Sequence, residues 1–226
     1  MSHLKRLDAP RTWHIRRKEG MFVVNPLPGS HSTRSALPLQ VIMRDILGYV
    51  HTARELRRAL CAKPVLVDGK EQKEVRAPVG VLDVLFIPQT QENYRLLIDK
   101  KGKLSVFPIS SSDGKIKLCK VLGKKQVRGG KIQLSLHDGR TVMSDIPVHV
   151  GDSIVLSLPE GKITQRVEFA KGAYIYLVRG KHSGSHGVLC DIVGNRITYE
   201  DHEKNKIDTL KDYAIVIGKE KPLIEV

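Results

Sequence analysis

Aromatic residues make up only 5% of the 226-residue chain, and its three cysteines, Cys61, Cys119 and Cys190, include no CxxC pair. The first scarcity means that any core is built mainly of Val, Ile and Leu, which favours small β-rich modules over one large aromatic-centred core. The second leaves neither a zinc framework nor an even set of disulfide partners, and it implies a reducing, intracellular compartment. Long hydrophobic runs are missing as well. The longest is residues 173–178, far short of the roughly 20 a membrane helix needs, and Lys5, Arg6, Asp8 and Arg11 leave no room for the apolar run of a signal peptide. Acidic charge is sparse: 24 Asp+Glu stand against 38 Lys+Arg, giving a net charge of +14. A chain this basic is expected to meet a polyanion, and nucleic acid is the commonest one in a cell.

What is present is enough to fold. Hydrophobic residues reach 41%, and the length allows one large domain or two to three small ones. Residues 1–36 read as a basic arm, punctuated by Pro10, Pro26, Pro28, Gly20 and Gly29, that orders on its target. Only Met21 to Val24 has strand character. From Leu37 to about Lys63 the period is helical. Pro38 suits a first turn, Leu39, Ile42, Met43, Ile46 and Leu47 fall at helical spacing, and Gly48 ends the element. Thr52-Ala53-Arg54-Glu55 is a capping box that opens a second helix, ended at Lys63-Pro64. Beyond Pro64 the chain turns to short strands. Val65 to Val67 leads into an Asp68-Gly69 hairpin turn, Val81 to Ile87 continues the sheet, and from Gln91 the pattern is nearly all β. Strand-like runs at 94–98, 104–109, 116–122, 132–136 and 154–158 alternate with Gly-containing turns, which suggests a small barrel or sandwich. A boundary falls near Phe169–Lys171, where a Gly-rich segment begins.

Several stretches could carry chemistry. Arg54, Arg57 and Arg58 share one face of the second helix, and with Lys63, Lys70 and Lys73 they read either as a ridge for a phosphate backbone or as an ordinary solvated face. The stretch Lys117–His137 holds Lys117, Lys120, Lys124, Lys125, Arg128 and Lys131 without an acid. Its Gly129-Gly130-Lys131 fails the Walker spacing, because Lys125 sits where the first glycine belongs and Ile132 follows the lysine, so the stretch reads as a basic strand-connecting loop. His182, His186 and Cys190 would share a helix face able to bind metal, but Gly184 and Gly187 argue against a helix. Trp13, among Arg11, His14, Arg16, Arg17 and Lys18, stacks on an unpaired base or anchors the arm to the protein's own body. Lys5, Arg6 and Arg34 complete the arm's cations. Charge is graded along the chain: residues 1–78 hold 15 basic and 7 acidic residues, residues 79–170 hold 14 and 9, and residues 171–226 hold 9 and 8.

The order of capping box, Arg-rich helix and Val65-Leu66-Val67-Asp68-Gly69-Lys70 hairpin resembles the small RNA-binding module shared by ribosomal protein S-four, pseudouridine synthases and tyrosyl-tRNA synthetases. The strand Ala173 to Val178, the loop Arg179-Gly180-Lys181-His182-Ser183-Gly184 and the exit through Val188-Leu189 resemble the KOW motif, with Arg179, Lys181 and His182 in reach of phosphate. Together with Lys5-Arg6-Leu7-Asp8-Ala9-Pro10-Arg11-Thr12-Trp13 and Ile132-Gln133-Leu134-Ser135-Leu136-His137-Asp138-Gly139-Arg140, these pieces resemble, end to end, small-subunit ribosomal proteins of the archaeal and eukaryotic S-four-e type. The chain stops soon after the KOW segment, an archaeal-like length.

That resemblance implies an α+β, mostly β protein. Its parts would be a basic arm (1–36), an S-four-like module (37–90), a central β barrel or sandwich (91–170) and an SH3-like KOW barrel (171–226). It also implies a structural, cytoplasmic component of the small ribosomal subunit. Such a protein binds ribosomal RNA and neighbouring ribosomal proteins, with no catalytic residue, cofactor, small-molecule substrate or membrane. The competing readings are an RNA-modifying enzyme and a KOW-type transcription or translation factor. Arg6-Leu7-Asp8 superficially matches the motif around the catalytic aspartate of pseudouridine synthases, but it lies at the extreme N-terminus with no catalytic sheet around it.

Overall fold

The computed structural model describes residues 3–127, 129–144, 146–201, 203–219 and 221–224. The chain divides into two units, Met1–Ile98 with Lys103–Gly114 and Asp99–Gly102 with Lys115–Val226. The architecture is α+β and mostly β.

In the first unit β1 (Leu4–Lys5) pairs antiparallel with β2 (Phe22–Val23), so the basic arm closes on itself rather than waiting for a target. There follow β3 (Ala36–Pro38), helix α1 (Ala53–Ala62), β4 (Val65–Val67), β5 (Lys70–Gln72), β6 (Pro78–Gly80), β7 (Val84–Ile87), β8 (Glu92–Ile98) and β9 (Leu104–Ile109). One antiparallel sheet runs β5-β4-β7-β8-β9, and β3 pairs with β6. Asp68 and Gly69 both have positive φ, 51° and 76°, which is the backbone a two-residue hairpin demands and the reason Asp-Gly stands there.

Two expectations change. The first helix does not start at Pro38, which lies in β3 opposite Pro78. The Leu39 and Gln40 amides, orphaned at the start of any helix, donate instead to the Ala77 and Val75 carbonyls at 2.9 and 3.0 Å. The chain is thereby held extended as far as Pro38, and a wide π-helical turn occupies Val41–Ile46, closed by the Leu47 amide on the Ile42 carbonyl. Second, β8 and β9, read from sequence as the start of a central domain at residue 91, belong to the sheet of the first unit. Val84 pairs Arg95 across a tight connection, and Ile98 pairs Leu104, so these two strands join the β5-β4-β7-β8-β9 sheet rather than that of the strands after residue 115.

The second unit opens with β10 (Ile116–Gln126), followed by β11 (Ile132–Leu136), β12 (Thr141–Ser144), β13 (Ser153–Ser157), β14 (Lys162–Val167), β15 (Tyr174–Leu177), β16 (His186–Val193), β17 (Arg196–Asp201), β18 (Lys206–Leu210) and β19 (Ala214–Gly218). These form two five-stranded sheets, β12-β11-β10-β13-β14 and β18-β17-β16-β15-β19. The first buries Cys119, Val121, Leu134, Leu136, Val148, Ile154 and Leu156 as one apolar cluster, from the period-two pattern legible in β11. Gly187 serves the second sheet: a Cβ there would lie 2.1 Å from the Glu200 carbonyl oxygen, so the glycine lets β16 approach β17 rather than a ligand.

Candidate nucleic-acid interface

The cations read from sequence separate into those the fold uses internally and those it leaves at the surface. Trp13 belongs to the interior. It has no exposed surface, its indole N–H donates to the Thr33 carbonyl at 3.0 Å, and its backbone lies beside Leu104. It anchors the arm and has no free face for a base. Its emission, the only tryptophan signal in the chain, is expected to stay unchanged when RNA is added. Trp13→Phe is expected to cost about 1–3 kcal/mol, read by urea unfolding, because the Thr33 carbonyl loses its donor. Quenching by RNA would restore the stacking role.

Arg6 is turned inward too. At 8% exposure it donates to the Arg16 carbonyl at 2.6 Å and the Phe22 carbonyl at 3.4 Å, and it stands 3.8 Å from Asp45 and 3.9 Å from Glu19. Arg17 donates to the carbonyls of Leu7, Ala9 and Pro10. Guanidinium donors thus tie together an arm too short in apolar residues to fold by burial alone. Lys5, Arg11, Lys18 and Arg34 are exposed; so is Arg16, paired with Glu19 at 2.7 Å.

Helix α1 begins with the Thr52 cap read from sequence, with Glu55 reaching one residue further back than a capping box does. The Thr52 hydroxyl accepts from the Glu55 amide at 3.2 Å, while the Glu55 carboxylate accepts from the His51 amide at 2.9 Å. Leu56 and Leu60 are buried, and Arg54, Arg57 and Arg58 stand exposed with no ion pair to any described residue. Lys63, Lys70 and Lys73 are exposed around the adjoining hairpin.

The stretch 117–137 forms the β10–β11 hairpin, and the strand read at 116–122 runs on to Gln126, with Lys124 facing Leu134 and Lys125 facing Gln133. Lys124, Lys125 and Lys131 are exposed at its far end, and Arg128 lies outside the described residues. Lys117 and Lys120 point inward. Lys117, fully buried, meets Asp138 at 3.0 Å. Burial is the largest single influence and would raise the Asp138 carboxyl, but the charge and hydrogen bond of Lys117, with His137 and the Arg140 amide, together hold the group below its usual range. Lys120 reaches across to the other sheet of its unit and donates to the carbonyls of Lys211, Asp212 and Ala214 at 3.1, 3.0 and 2.8 Å. Burial pushes its pKa down from 10.5 to about 8, with Asp212 opposing and Lys211 and Arg179 assisting. Between these values the unfolded chain holds the extra proton, so the fold gains stability as pH rises from about 8 to 10.5. Lys120→Met is therefore expected to lose ground against the parent chain between pH 7.5 and 9.5 in urea unfolding. A constant difference would mean the amine is not desolvated.

Cys119, His137 and Asp138 place their ligand atoms within 4.8 Å of one another. The Asp138 carboxylate is already committed to Lys117 and to Arg140 at 3.3 Å, and two cations beside it repel a third. In the Gly-rich hairpin, Arg179 and Lys181 are exposed and His182 is half-buried, while His186 and Cys190 lie on strand β16 rather than a helix. Sequence reading passed over Gln40. It is the lone polar residue in the apolar run 36–43, and it is 5% exposed.

Comparison with known proteins shows which family the chain is similar to. The family model for ribosomal family S4e matches residues 90–163, and that for the RS4NT (NUC023) domain matches residues 2–34. The chain is 40% identical over 238 residues to small ribosomal subunit protein eS4 of Methanocaldococcus jannaschii, covering 99% of this chain and 97% of the relative. It is also 40% identical to the eS4 protein of Methanothermobacter thermautotrophicus, covering 99% and 95%. The crystal structure of 30S ribosomal protein S4e from Thermoplasma acidophilum superposes with a TM-score of 0.71 at 32% identity, covering 82% of this chain and 96% of that one. With near full-length relatives at this identity and a shared fold, the chain belongs to the ribosomal S4e family.

Proposed function

We propose that this protein is a structural, non-catalytic component of the cytoplasmic small ribosomal subunit that grips ribosomal RNA and neighbouring ribosomal proteins. The observation that carries the RNA grip is the α1 face. Arg54, Arg57 and Arg58 stand exposed and unpaired to any described acid above the buried Leu56 and Leu60, so their donors are free for phosphate oxygens. In this reading α1 with the β4–β5 hairpin is an S-four-like RNA-binding module. The strands β15–β19, with their Gly-rich turn, form a KOW-type domain, and β10–β14 form the central β domain. Lys5, Arg11, Lys18, Arg34, Lys63, Lys70, Lys73, Lys124, Lys125, Lys131, Arg179 and Lys181 supply further exposed charge.

Changing Arg54, Arg57 and Arg58 together to Gln is expected to leave the fold intact and weaken binding to a small-subunit RNA transcript. The log–log salt slope should fall by about 2–3, at roughly 0.7–0.9 per phosphate contact. Unchanged affinity would return this face to plain solvation. A transient KOW-type factor would wash off, so retention of the full chain on small subunits through a high-salt sucrose cushion separates the two readings.

A further inference from the structure

Beside α1, in the first unit, lies a cleft of about 240 Å³ lined by His3, Leu4, Val23, Val24, Asn25, Gln40, Arg57, Val75 and Arg76. That is below the range of about 300–1,000 Å³ in which drug-sized ligands sit, so the space suits one small planar group. Its walls are held by the main chain. The Gln40 amide donates to the Val75 carbonyl at 3.0 Å, the Leu27 amide donates to the Arg76 carbonyl at 3.0 Å, and Arg76 Nε donates to the Asn25 carbonyl at 2.9 Å. A cleft fixed from three directions needs little ordering when something enters it.

The side chain that stands out is Gln40. It is 95% covered, since only 5% is exposed, and it lines the cleft. Its carboxamide makes no hydrogen bond with any described residue. The residue is covered, but its carboxamide atoms are not sealed from water, so their donor and acceptor are open to an occupant of the cleft. A carboxamide offers a donor and an acceptor side by side, the pair that matches the edge of a nucleobase. Leu4, Val23 and Val75 supply apolar walls for the ring faces, and exposed Arg57 stands where a phosphate of the same nucleotide could be met.

We infer that this cleft takes one unpaired base of the RNA, read by the Gln40 carboxamide and clamped by Arg57 on the adjacent phosphate. The inference rests on the RNA-binding reading above and adds to it a base-specific contact in a grip otherwise made through phosphates. The alternative occupant is a side chain of a neighbouring protein.

The test uses the full chain and a small-subunit ribosomal RNA transcript, with base edges probed chemically at single-nucleotide resolution. The parent protein is expected to shield the edge of one unpaired base. Gln40→Leu should expose that base again and weaken binding roughly 5–150-fold, the worth of one bidentate base contact, while leaving the salt slope unchanged. Arg57→Gln should instead lower the slope by about one. If Gln40→Leu does not fold, by thermal unfolding, Gln40→Asn keeps the amide but shortens its reach and is expected to lose the same protection. An unaltered footprint and affinity in a folded Gln40 variant would overturn the inference while leaving RNA binding in place. So would a parent chain that binds yet shields no unpaired base, which would give the cleft to a protein side chain. A parent chain that does not bind the transcript would remove the underlying reading and this one with it.

Discussion

Replacing Asp138 by Asn is expected to destabilise the second unit by about 3–5 kcal/mol, measured by urea unfolding at neutral pH. Both members of the Lys117–Asp138 pair are wholly buried, 3.0 Å apart. Removing the carboxylate strands an ammonium where water cannot reach it, and that desolvation penalty, not the lost attraction, sets the size of the effect. The same logic makes a second outcome decisive. Lys117→Met combined with Asp138→Leu takes away both charges, so it should recover most of the loss, because a well-packed apolar pair often matches a buried ion pair in stability. Cys119 Sγ at 3.6 Å from the carboxylate and Arg140 at 3.3 Å temper the recovery, since each gives up a polar partner. A double variant as unstable as Asp138→Asn alone would show that the pair contributes packing shape rather than charge balance.

RNA affinity is expected to fall by roughly 10³-fold between about 50 and 200 mM salt if about six phosphates are engaged, since each contact contributes about 0.7–0.9 to the log–log slope. Filter binding with a small-subunit RNA transcript across that range measures it, and a flat response would sink the electrostatic mechanism. The fold sharpens the expectation by saying which charges count. Exposed Arg54, Arg57, Arg58, Lys63, Lys70 and Lys73 should each lower the slope when neutralised. Arg6, Arg17, Lys117 and Lys120 are committed to carbonyls or carboxylates inside the protein. Lys120→Gln should therefore change stability and leave the slope alone, although by net charge it is indistinguishable from Lys124→Gln.

Local features of this protein are legible in its sequence because they depend on neighbours along the chain. The Thr52 cap on the Glu55 amide, the hairpin turn at Asp68-Gly69, the alternation of Ile132, Leu134 and Leu136, and the polyanion partner implied by +14 all follow from residue chemistry at short spacing. The tertiary structure decided what depends on distant pairing. Period two says that neighbouring side chains face opposite ways but not which face will be covered, so Lys117 and Lys120 read as surface cations until β13 and the Lys211–Ala214 segment enclose them. Pro38 looked like a helix start until β6, some 40 residues on, paired with it. Trp13 had two readings of equal weight until the Thr33 carbonyl and Leu104 took it into the core. A basic sequence names the kind of partner. Which of its cations remain to meet that partner is settled only when the fold has used the others to hold itself together.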